Sequence, residues 1–327
     1  MVTLVLGVAI APACTARAQG QLSTVEPLHF NHVHLNSVDP AGAAQYYPKP
    51  YPLSATTTRY QGYEAVKTGN IYILFTKVSA PPQNELTGPQ TAVWHFGWNT
   101  PNSRQYDERF RAMGLQIAQM WDAADGMLVD MSSDTLPGLP TQEQILEMRA
   151  KGTQPTREGG FGYLRGPDGA MIENAQAGTT ERFNHVHMYH EHPLCATQWY
   201  ATHLGARLPQ GRGANETPAA GDCHTTLYAP PTYPSFAKTG FVREPSGAVL
   251  FDDIQILIRP WPGGGLVSTR GKIVDHWAVS TSDLTATVTR LKAQGVTFLD
   301  EIHPWGSARV AMIEGPDRVA IEIVEVK

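Results

Sequence analysis

Short apolar runs alternate with glycine, proline and polar turns along most of the chain, and this pattern predicts many strands and few helices. Strand patterns cover residues 70–77, 92–99, 161–174, 251–259, 274–281 and 308–326. Helical spacing is confined to short stretches that begin near Pro or Asp and end at Gly, over residues 101–114, 193–205 and 283–295. The pattern therefore predicts an α+β fold.

Two sequence motifs recur about half the chain apart. Phe-Asn-His-Val-His occurs at residues 30–34 and again at 183–187, and Gly-Pro-Asp followed by Ile-Glu occurs at 166–173 and again at 315–322. The first motif opens a unit and the second closes one, so the sequence predicts four β-α-β-type units in the order A, B, A′, B′.

The repeat divides the chain into two domains, and 327 residues are enough for both. We expect an N-terminal domain over residues 28–174, with an insertion at 122–159 that contains a small helix at 141–151. Residues 175–182 are small and polar and form the predicted linker. The C-terminal domain is expected over residues 183–327, with a long Gly- and Pro-rich loop at 208–247.

Composition and the N-terminus bear on partners and location. Apolar content of 42% and a net charge of −5 describe a globular protein, and the absence of a basic stripe in the sequence argues against nucleic-acid binding. The apolar run at residues 2–13 is too short to span a bilayer, and Ala16-Arg17-Ala18 is a small-x-small cleavage site. We therefore predict a signal peptide at residues 1–18, a periplasmic or secreted protein and no stable membrane span. Export would permit Cys195 and Cys223 to pair, without requiring it.

Histidines and glutamates occupy matching places in the two halves. His32 and His34 share one face of their strand, as His185 and His187 do, and the B units contribute one strand histidine each. A glutamate in an apolar closing strand is expensive to bury unless it is paired or bound to a metal. A single strand histidine is usually a hydrogen-bonded core or surface residue, but the recurrence favours a 2-His-1-carboxylate metal site. The candidate ligands are His32, His95, Glu173, His185, His276 and Glu322. His190, His192 and His203 are expected on the surface, with a place in the pocket as the alternative that the sequence leaves open.

The βαβββ units, the histidine near the start of each first strand and the Gly-Pro-Asp closing hairpin resemble the vicinal oxygen chelate superfamily. That group includes glyoxalase I, extradiol ring-cleavage dioxygenases, fosfomycin-resistance enzymes and metal-free bleomycin-binding proteins. The resemblance implies two glyoxalase-like cupped half-barrel domains. It also implies one site formed by His32, His95 and Glu173, and another by His185, His276 and Glu322. Whether units pair within each half or across a homodimer is left open.

The resemblance also assigns further site residues. The fourth ligand position of glyoxalases falls on Tyr72 and Gln255, neither of which is the usual acid, so a three-ligand centre is expected, with Gln255 as a weak fourth ligand. Tyr163 and Glu173 keep the spacing of the extradiol signature, whereas the last unit has Met312 at the tyrosine position. His34, His187 and Tyr163 are the candidates for acid–base catalysis.

Three functions follow as hypotheses. The first is an exported divalent-metal enzyme, with Fe(II) favoured and Mn, Zn or Ni as alternatives, that chelates vicinal oxygens of a small organic substrate such as a catechol or enediol and is dioxygenase-like. The second is a glyoxalase-type lyase or isomerase. The third is a metal-free protein that binds a small molecule and confers resistance.

Overall fold

A computed structural model describes residues 26–83, 90–117, 147, 150–152, 161–209, 222–224, 245–261 and 265–327. The predicted signal peptide, nearly all of the predicted insertion and most of the predicted loop at 208–247 lie outside the described residues. Of the predicted helix at 141–151, residues 147, 150 and 151 are described, and residues 147 and 150 are helical. Within the described ranges, no helix is long and apolar enough to cross a membrane.

The described residues form fourteen strands and four α-helices, mostly where the sequence predicts them. The strands are β1 (His29–Ser37), β2 (Ala55–Tyr60), β3 (Tyr63–Thr68), β4 (Ile71–Lys77), β5 (Val93–Thr100), β6 (Phe161–Arg165), β7 (Met171–Gln176), β8 (Arg182–His190), β9 (Gly247–Phe251), β10 (Ile254–Pro260), β11 (Val274–Thr281), β12 (Phe298–Trp305), β13 (Ala308–Glu314) and β14 (Ala320–Glu325). The helices are α1 (Pro40–Tyr46), α2 (Ser103–Ala112), α3 (Pro193–Leu204) and α4 (Leu284–Ala293).

The helices begin and end at residues that suit their termini. Asn102 and Asp283 accept hydrogen bonds from backbone amides in the first turns of α2 and α4, at 3.0 and 2.9 Å. Gly205 ends α3 in the left-handed conformation, at φ 68°. Asp283 and Gly205 are among the residues from which the sequence predicted these helices, whereas the cap at Asn102 was not predicted; the three helices themselves are confirmed.

The strands form two sheets, and each sheet combines a unit from one half of the chain with a unit from the other. The eight-stranded sheet has the order β12-β13-β14-β11-β1-β4-β3-β2 and joins unit A (residues 29–77) to unit B′ (274–325). The six-stranded sheet has the order β6-β7-β5-β8-β10-β9 and joins unit B (93–176) to unit A′ (182–260). At each junction two opening strands run antiparallel, β1 against β11 and β5 against β8.

The main core lies where the two sheets meet. The two motif phenylalanines, Phe30 and Phe183, lie there with their ring centroids 6.4 Å apart, and Phe30 stacks on Trp277 at 5.9 Å. Tyr51 stacks on Trp98 at 4.2 Å in the same region. All of these side chains are buried, so the first residue of the repeated motif has a packing role.

The Gly-Pro-Asp turns connect one sheet to the other. Asp168 accepts a hydrogen bond from the backbone amide of Val38, and Asp317 accepts one from the amide of Glu191, at 3.1 and 3.0 Å. Both aspartates have positive φ values, 56° and 53°. His190 also bonds Asp317, with 2.7 Å between Nδ1 and Oδ2, and its side chain is fully buried. The prediction that His190 is a surface residue is therefore wrong, because this carboxylate satisfies the buried ring.

Candidate metal centres

The repeated Phe-Asn-His-Val-His motif contains a β-bulge in both copies. On β1, Phe30 pairs with Val279 and His32 with Ala278, so Asn31 has no partner in the register of these two strands. Asn184 occupies the same place on β8. A bulge re-aims the side chain of its extra residue. Each asparagine consequently bonds the next histidine, with 2.8 Å between Oδ1 and Nδ1 in both copies.

The first cluster lies in the eight-stranded sheet and consists of His32, His34, His276 and Glu322. The Nε2 atoms of His32 and His276 lie 3.4 and 3.9 Å from the same oxygen, Oε2 of Glu322. All three atoms are buried, and none has a hydrogen-bond partner among the described residues. Buried polar atoms are normally paired, so three that converge in this way fit a bound divalent cation.

Hydrogen bonds orient both histidines of the first cluster. Asn31 fixes the ring of His32, and Asp275 bonds Nδ1 of His276 at 2.7 Å. Both bonds leave Nε2 directed at Glu322. Metal-ligating histidines almost always donate their second ring N–H to an oxygen in this manner.

A cavity of 220 Å³ opens onto the first cluster. His32 stacks on Trp305 with a centroid distance of 5.6 Å, and His34 meets the edge of Tyr63 at 4.9 Å. The cavity thus has an aromatic wall beside the cluster and charged groups at other points of its lining. Its lining includes His34, Tyr63, Thr76, Arg270, Asp300, His303, Trp305, Met312 and Glu322.

The second cluster lies in the six-stranded sheet and consists of His95, Glu173, His185 and His187. One ligand atom from each of the four lies within 4.8 Å of all the others. The carboxylate of Glu173 already has partners, because its Oε2 lies 2.6 Å from Nε2 of His95 and accepts a hydrogen bond from Tyr163 at 3.2 Å. The donor set also suits a divalent ion, but an ion here would replace hydrogen bonds that exist without it.

The two clusters differ in the residues at three equivalent positions. Trp94 occupies the bulge position that Asp275 has in the first cluster, and Nδ1 of His95 has no hydrogen-bond partner in the described part of the chain. Tyr163 pairs with Glu173 across its hairpin, as Met312 pairs with Glu322. Gly97 lies where the other sheet has Ala278.

The glycine at position 97 allows the second cluster to pack more tightly. A Cβ atom there would lie 2.6 Å from Cε1 of His185 and 2.8 Å from Cβ of Glu173. His185 therefore occupies space that a side chain on β5 would need. With the hydrogen bonds to Glu173, this packing makes the second cluster the more closed of the two.

Electrostatics also distinguish the clusters. Burial lowers the pKa of His32 and His34 well below the usual histidine value, and the neighbouring imidazole of His276 adds to the effect, so both are neutral at pH 7. Burial raises the pKa of Glu322. For Glu173 burial acts in the same direction, but His185 and His95 outweigh it and hold its pKa well below the usual value. The neutral imidazole is the form that binds metal.

The structure groups the predicted ligands differently from the sequence analysis. It brings His32 to His276 and Glu322, and it brings His185 to His95 and Glu173. The expected sets His32–His95–Glu173 and His185–His276–Glu322 are therefore wrong. The cause is the sheet topology, since each opening strand pairs with a strand of the other half of the chain.

The remaining predicted residues lie beside the clusters. His34 belongs to the first cluster, whereas His187 and Tyr163 belong to the second. Tyr72 is opposite His32 in strand register and its ring stacks on Tyr60 at 4.0 Å. Gln255 is likewise opposite His185, and its role as a ligand stays a prediction.

The residues that orient the candidate ligands were not predicted from the sequence. Asn31 and Asn184 belong to the repeated motif and precede a histidine in both copies, and this recurrence was an available signal. Asp275 directly precedes His276, but nothing in the sequence shows that a bulge turns its side chain toward that histidine.

Solved structures with the same fold cover most of the chain. Glyoxalase I from Zea mays is 14% identical and superposes with a TM-score of 0.55, over 91% of this chain and 92% of that one. A proposed dioxygenase from Bacillus subtilis subsp. subtilis str. 168 is 10% identical, with a TM-score of 0.50 over 92% of this chain and 86% of that one. At these identities the similarity establishes the fold.

A search of curated proteins finds no significant match to the sequence. A family model does match, described as the Glyoxalase/Bleomycin resistance protein/Dioxygenase superfamily, and it covers residues 182–323. These residues take in nearly all of units A′ and B′. The resemblance to vicinal oxygen chelate proteins is thereby confirmed: residues 182–323 match the model of the Glyoxalase/Bleomycin resistance protein/Dioxygenase superfamily, and the chain has the glyoxalase-like α+β fold over about nine-tenths of its length.

Proposed function

We propose that this protein is an exported divalent-metal enzyme whose reactive centre is the first cluster, and that it acts on a small organic substrate with two adjacent oxygens. His32, His276 and Glu322 would hold the ion, with Fe(II) favoured and Mn, Zn or Ni as alternatives. The reaction class that this set supports best is dioxygenase-like oxygen insertion. The alternative is a glyoxalase-type lyase or isomerase.

One observation carries the proposal. Nε2 of His32, Nε2 of His276 and Oε2 of Glu322 are buried, converge and have no hydrogen-bond partner in the described ranges. His276 and Glu322 also line the 220 Å³ cavity. Two histidines and one carboxylate on one side of an ion leave other coordination positions open. The ion would serve as a Lewis acid and a template for two neighbouring substrate oxygens.

The protein's own groups supply orientation and proton transfer. Asn31 and Asp275 hold the ligand rings, and Trp305 and Tyr63 give the cavity an aromatic wall that suits a planar substrate. His34 is neutral because burial lowers its pKa, and its Nε2 lies 2.7 Å from Oγ1 of Thr76. A neutral imidazole at the cavity can accept a substrate proton, which both candidate reactions require.

The repeat offers a matched pair of variants that tests which cluster is reactive. His32→Ala and His185→Ala remove the same motif residue from the two sheets. We expect His32→Ala to abolish turnover and to remove the metal of the first cluster, whereas His185→Ala retains turnover. Elemental analysis and activity of both variants are the measurements. Loss of turnover in His185→Ala with full activity in His32→Ala would place the reactive centre in the six-stranded sheet.

Oxygen consumption separates the reaction classes. A dioxygenase-like enzyme takes up oxygen in proportion to substrate on a panel of catechols. Metal-dependent turnover of a hemithioacetal without oxygen uptake would instead support the glyoxalase-type reaction. A purified protein without stoichiometric metal, and with unchanged ligand affinity in His32→Ala, would support the metal-free binding protein.

Export is supported by the signal-like segment at residues 1–18 and by the disulfide between Cys195 and Cys223. Disulfides persist mainly in oxidising compartments. Mass determination of the protein from the periplasm or culture medium tests the proposal, with cleavage after Ala18 as the expected result. An uncleaved protein confined to the cytoplasm would contradict it.

A further inference from the structure

A third group of metal-binding side chains lies at the start of α3 and shares no residue with the two clusters. Cys195 lies in the first turn of this helix and is bonded to Cys223. One ring nitrogen of His224 and the two sulfurs all lie within 4.8 Å of one another. The ring of His192 lies 4.5 Å from that of His224, measured between centroids. Two cysteines and two histidines thus meet at one place.

The spacing and exposure of these groups fit a zinc site. Zinc in a tetrahedral site has Zn–S distances of about 2.3 Å and Zn–N distances of about 2.0 Å, so its ligand atoms lie within about 4 Å of one another. Both cysteines are half-buried, and both histidines are exposed. An ion can reach the site from solvent, while one side of it is already formed by the helix.

Two neighbouring features favour the metal-binding forms of the ligands. Cys195 is near the N-terminus of a twelve-residue helix, where the helix dipole stabilises a thiolate. Asp222 lies beside His224, with 3.2 Å between Oδ1 and Nδ1. This carboxylate keeps the proton of His224 on Nδ1 and leaves Nε2 available as a ligand.

We propose that reduction of the Cys195–Cys223 disulfide converts this group into a binding site for Zn²⁺ or a similar borderline-soft divalent cation, with Cys195, Cys223, His224 and His192 as ligands. A dithiol supplies two electrons and two protons, the S–S bond breaks to give two thiols, and the dithiol becomes a disulfide. Ion binding then releases both thiol protons to solvent. While the protein is oxidised, the sulfurs are bonded to each other and the site is closed.

The proposal links metal binding to the redox equilibrium. An ion that binds only the reduced form shifts the equilibrium toward that form by the factor 1 + [ion]/Kd. At an ion concentration of about 100 Kd the shift is about 100-fold, which equals about 60 mV for a two-electron couple. This shift is independent of catalysis at the first cluster.

Cobalt titration of the full protein tests the site. The protein is reduced with a phosphine, the reductant is removed under anaerobic conditions, and Co²⁺ is added. With Co²⁺ present, we expect a thiolate-to-cobalt charge-transfer absorption in the reduced protein and none in the oxidised protein. The two clusters described above contain no sulfur ligand, so cobalt bound there does not contribute this band. Added Zn²⁺ should remove it.

Variants that retain both cysteines assign the histidine ligands. His224→Ala and His192→Ala keep both cysteines, and each should weaken Co²⁺ binding by at least about tenfold. His29→Ala is the matched control, because His29 is also an exposed histidine whose Nδ1 faces an aspartate, Asp252, at 2.7 Å. It should bind cobalt as the wild type does.

Two results would overturn the proposal. The first is the lack of a charge-transfer band in reduced wild type at saturating Co²⁺. The second is a thiol–disulfide equilibrium that Zn²⁺ does not move. The redox titration uses the wild-type protein, so it remains decisive if a variant fails to fold.

Discussion

Asp275 connects His276, a proposed metal ligand, to the loop that precedes β11, and its removal should weaken metal binding at the first cluster. Oδ1 of Asp275 bonds Nδ1 of His276 at 2.7 Å. Its Oδ2 accepts hydrogen bonds from the amide of Gly271 at 2.7 Å and from Nδ2 of Asn36 at 3.2 Å. Substitution by alanine would leave the ring of His276 free to rotate and would no longer fix the ring proton on Nδ1.

The expected loss can be estimated from the structure. Burial alone would raise the pKa of Asp275, but the hydrogen bond and charge of His276, with Gly271 and Arg270, lower it from 3.8 to about 2. A shift of this size corresponds to roughly 2 kcal/mol in favour of the ionised form, shared among these partners. Removing an outer partner of a ligand histidine typically lowers metal affinity by about 10- to 100-fold. We expect Asp275→Ala to fall within that range.

Calorimetric titration with Mn²⁺ or Co²⁺ measures the effect, in a His185→Ala background that weakens the second cluster. Asp275→Asn should lose less affinity than Asp275→Ala, because an amide oxygen still accepts the ring N–H. Asp300→Ala is the control, since Asp300 also bonds Arg270 beside the cavity, at 3.0 Å. A folded Asp275→Ala variant that binds the ion as tightly as its parent would refute the positioning role.

Three further predictions concern stability. Burial alone would raise the pKa of Asp317, but His190 and a backbone amide hold it below 3.8. The unfolding free energy that this carboxylate contributes is therefore complete above pH 3.8 and is lost as the pH falls through the depressed pKa. Urea unfolding of wild type and Asp317→Ala should accordingly give the same unfolding free energy at low pH. Gly97→Ala would press on His185 and should cost about 1–3 kcal/mol of unfolding free energy, and a cost near zero in chemical denaturation would contradict the close packing. A metal ion at a concentration of about 100 times its Kd should raise the unfolding free energy by about 2.7 kcal/mol, and chelation should remove this gain. In melting curves of His32→Ala, the gain from the first cluster should be absent.

The elements and the ligand types could be predicted from the sequence because they depend on local pattern. Helices α2, α3 and α4 have their caps in the sequence, and the strand histidines stand out because they recur. The pairing of the units could not be predicted in the same way. Units A and A′ present equivalent opening strands, so unit B could form a junction with either, and no local pattern distinguishes the two arrangements. The ligand sets depend on that choice and were assigned wrongly.

The orientation of the ligands could not be predicted for a related reason. Strand alternation places Asn31 and His32 on opposite faces, and by that rule their side chains should not meet. The bulge at Asn31 breaks the alternation, as the bulge at Asp275 does beside His276. A bulge depends on how two distant strands align, and this information is absent from either strand alone.

The two clusters show how a duplicated unit can hold two sites of different character. Both keep two histidines and a glutamate around one carboxylate oxygen, so the duplicated backbone preserves the ligand positions. In the six-stranded sheet, Trp94 takes the place of the orienting carboxylate, and Tyr163 satisfies the glutamate that the other sheet leaves unpaired within the described residues. An ion at the second cluster must displace the bond between His95 and Glu173, whereas an ion at the first cluster supplies partners to three atoms that have none there. Because an unpaired buried polar atom costs free energy, the first cluster has the stronger requirement for a metal.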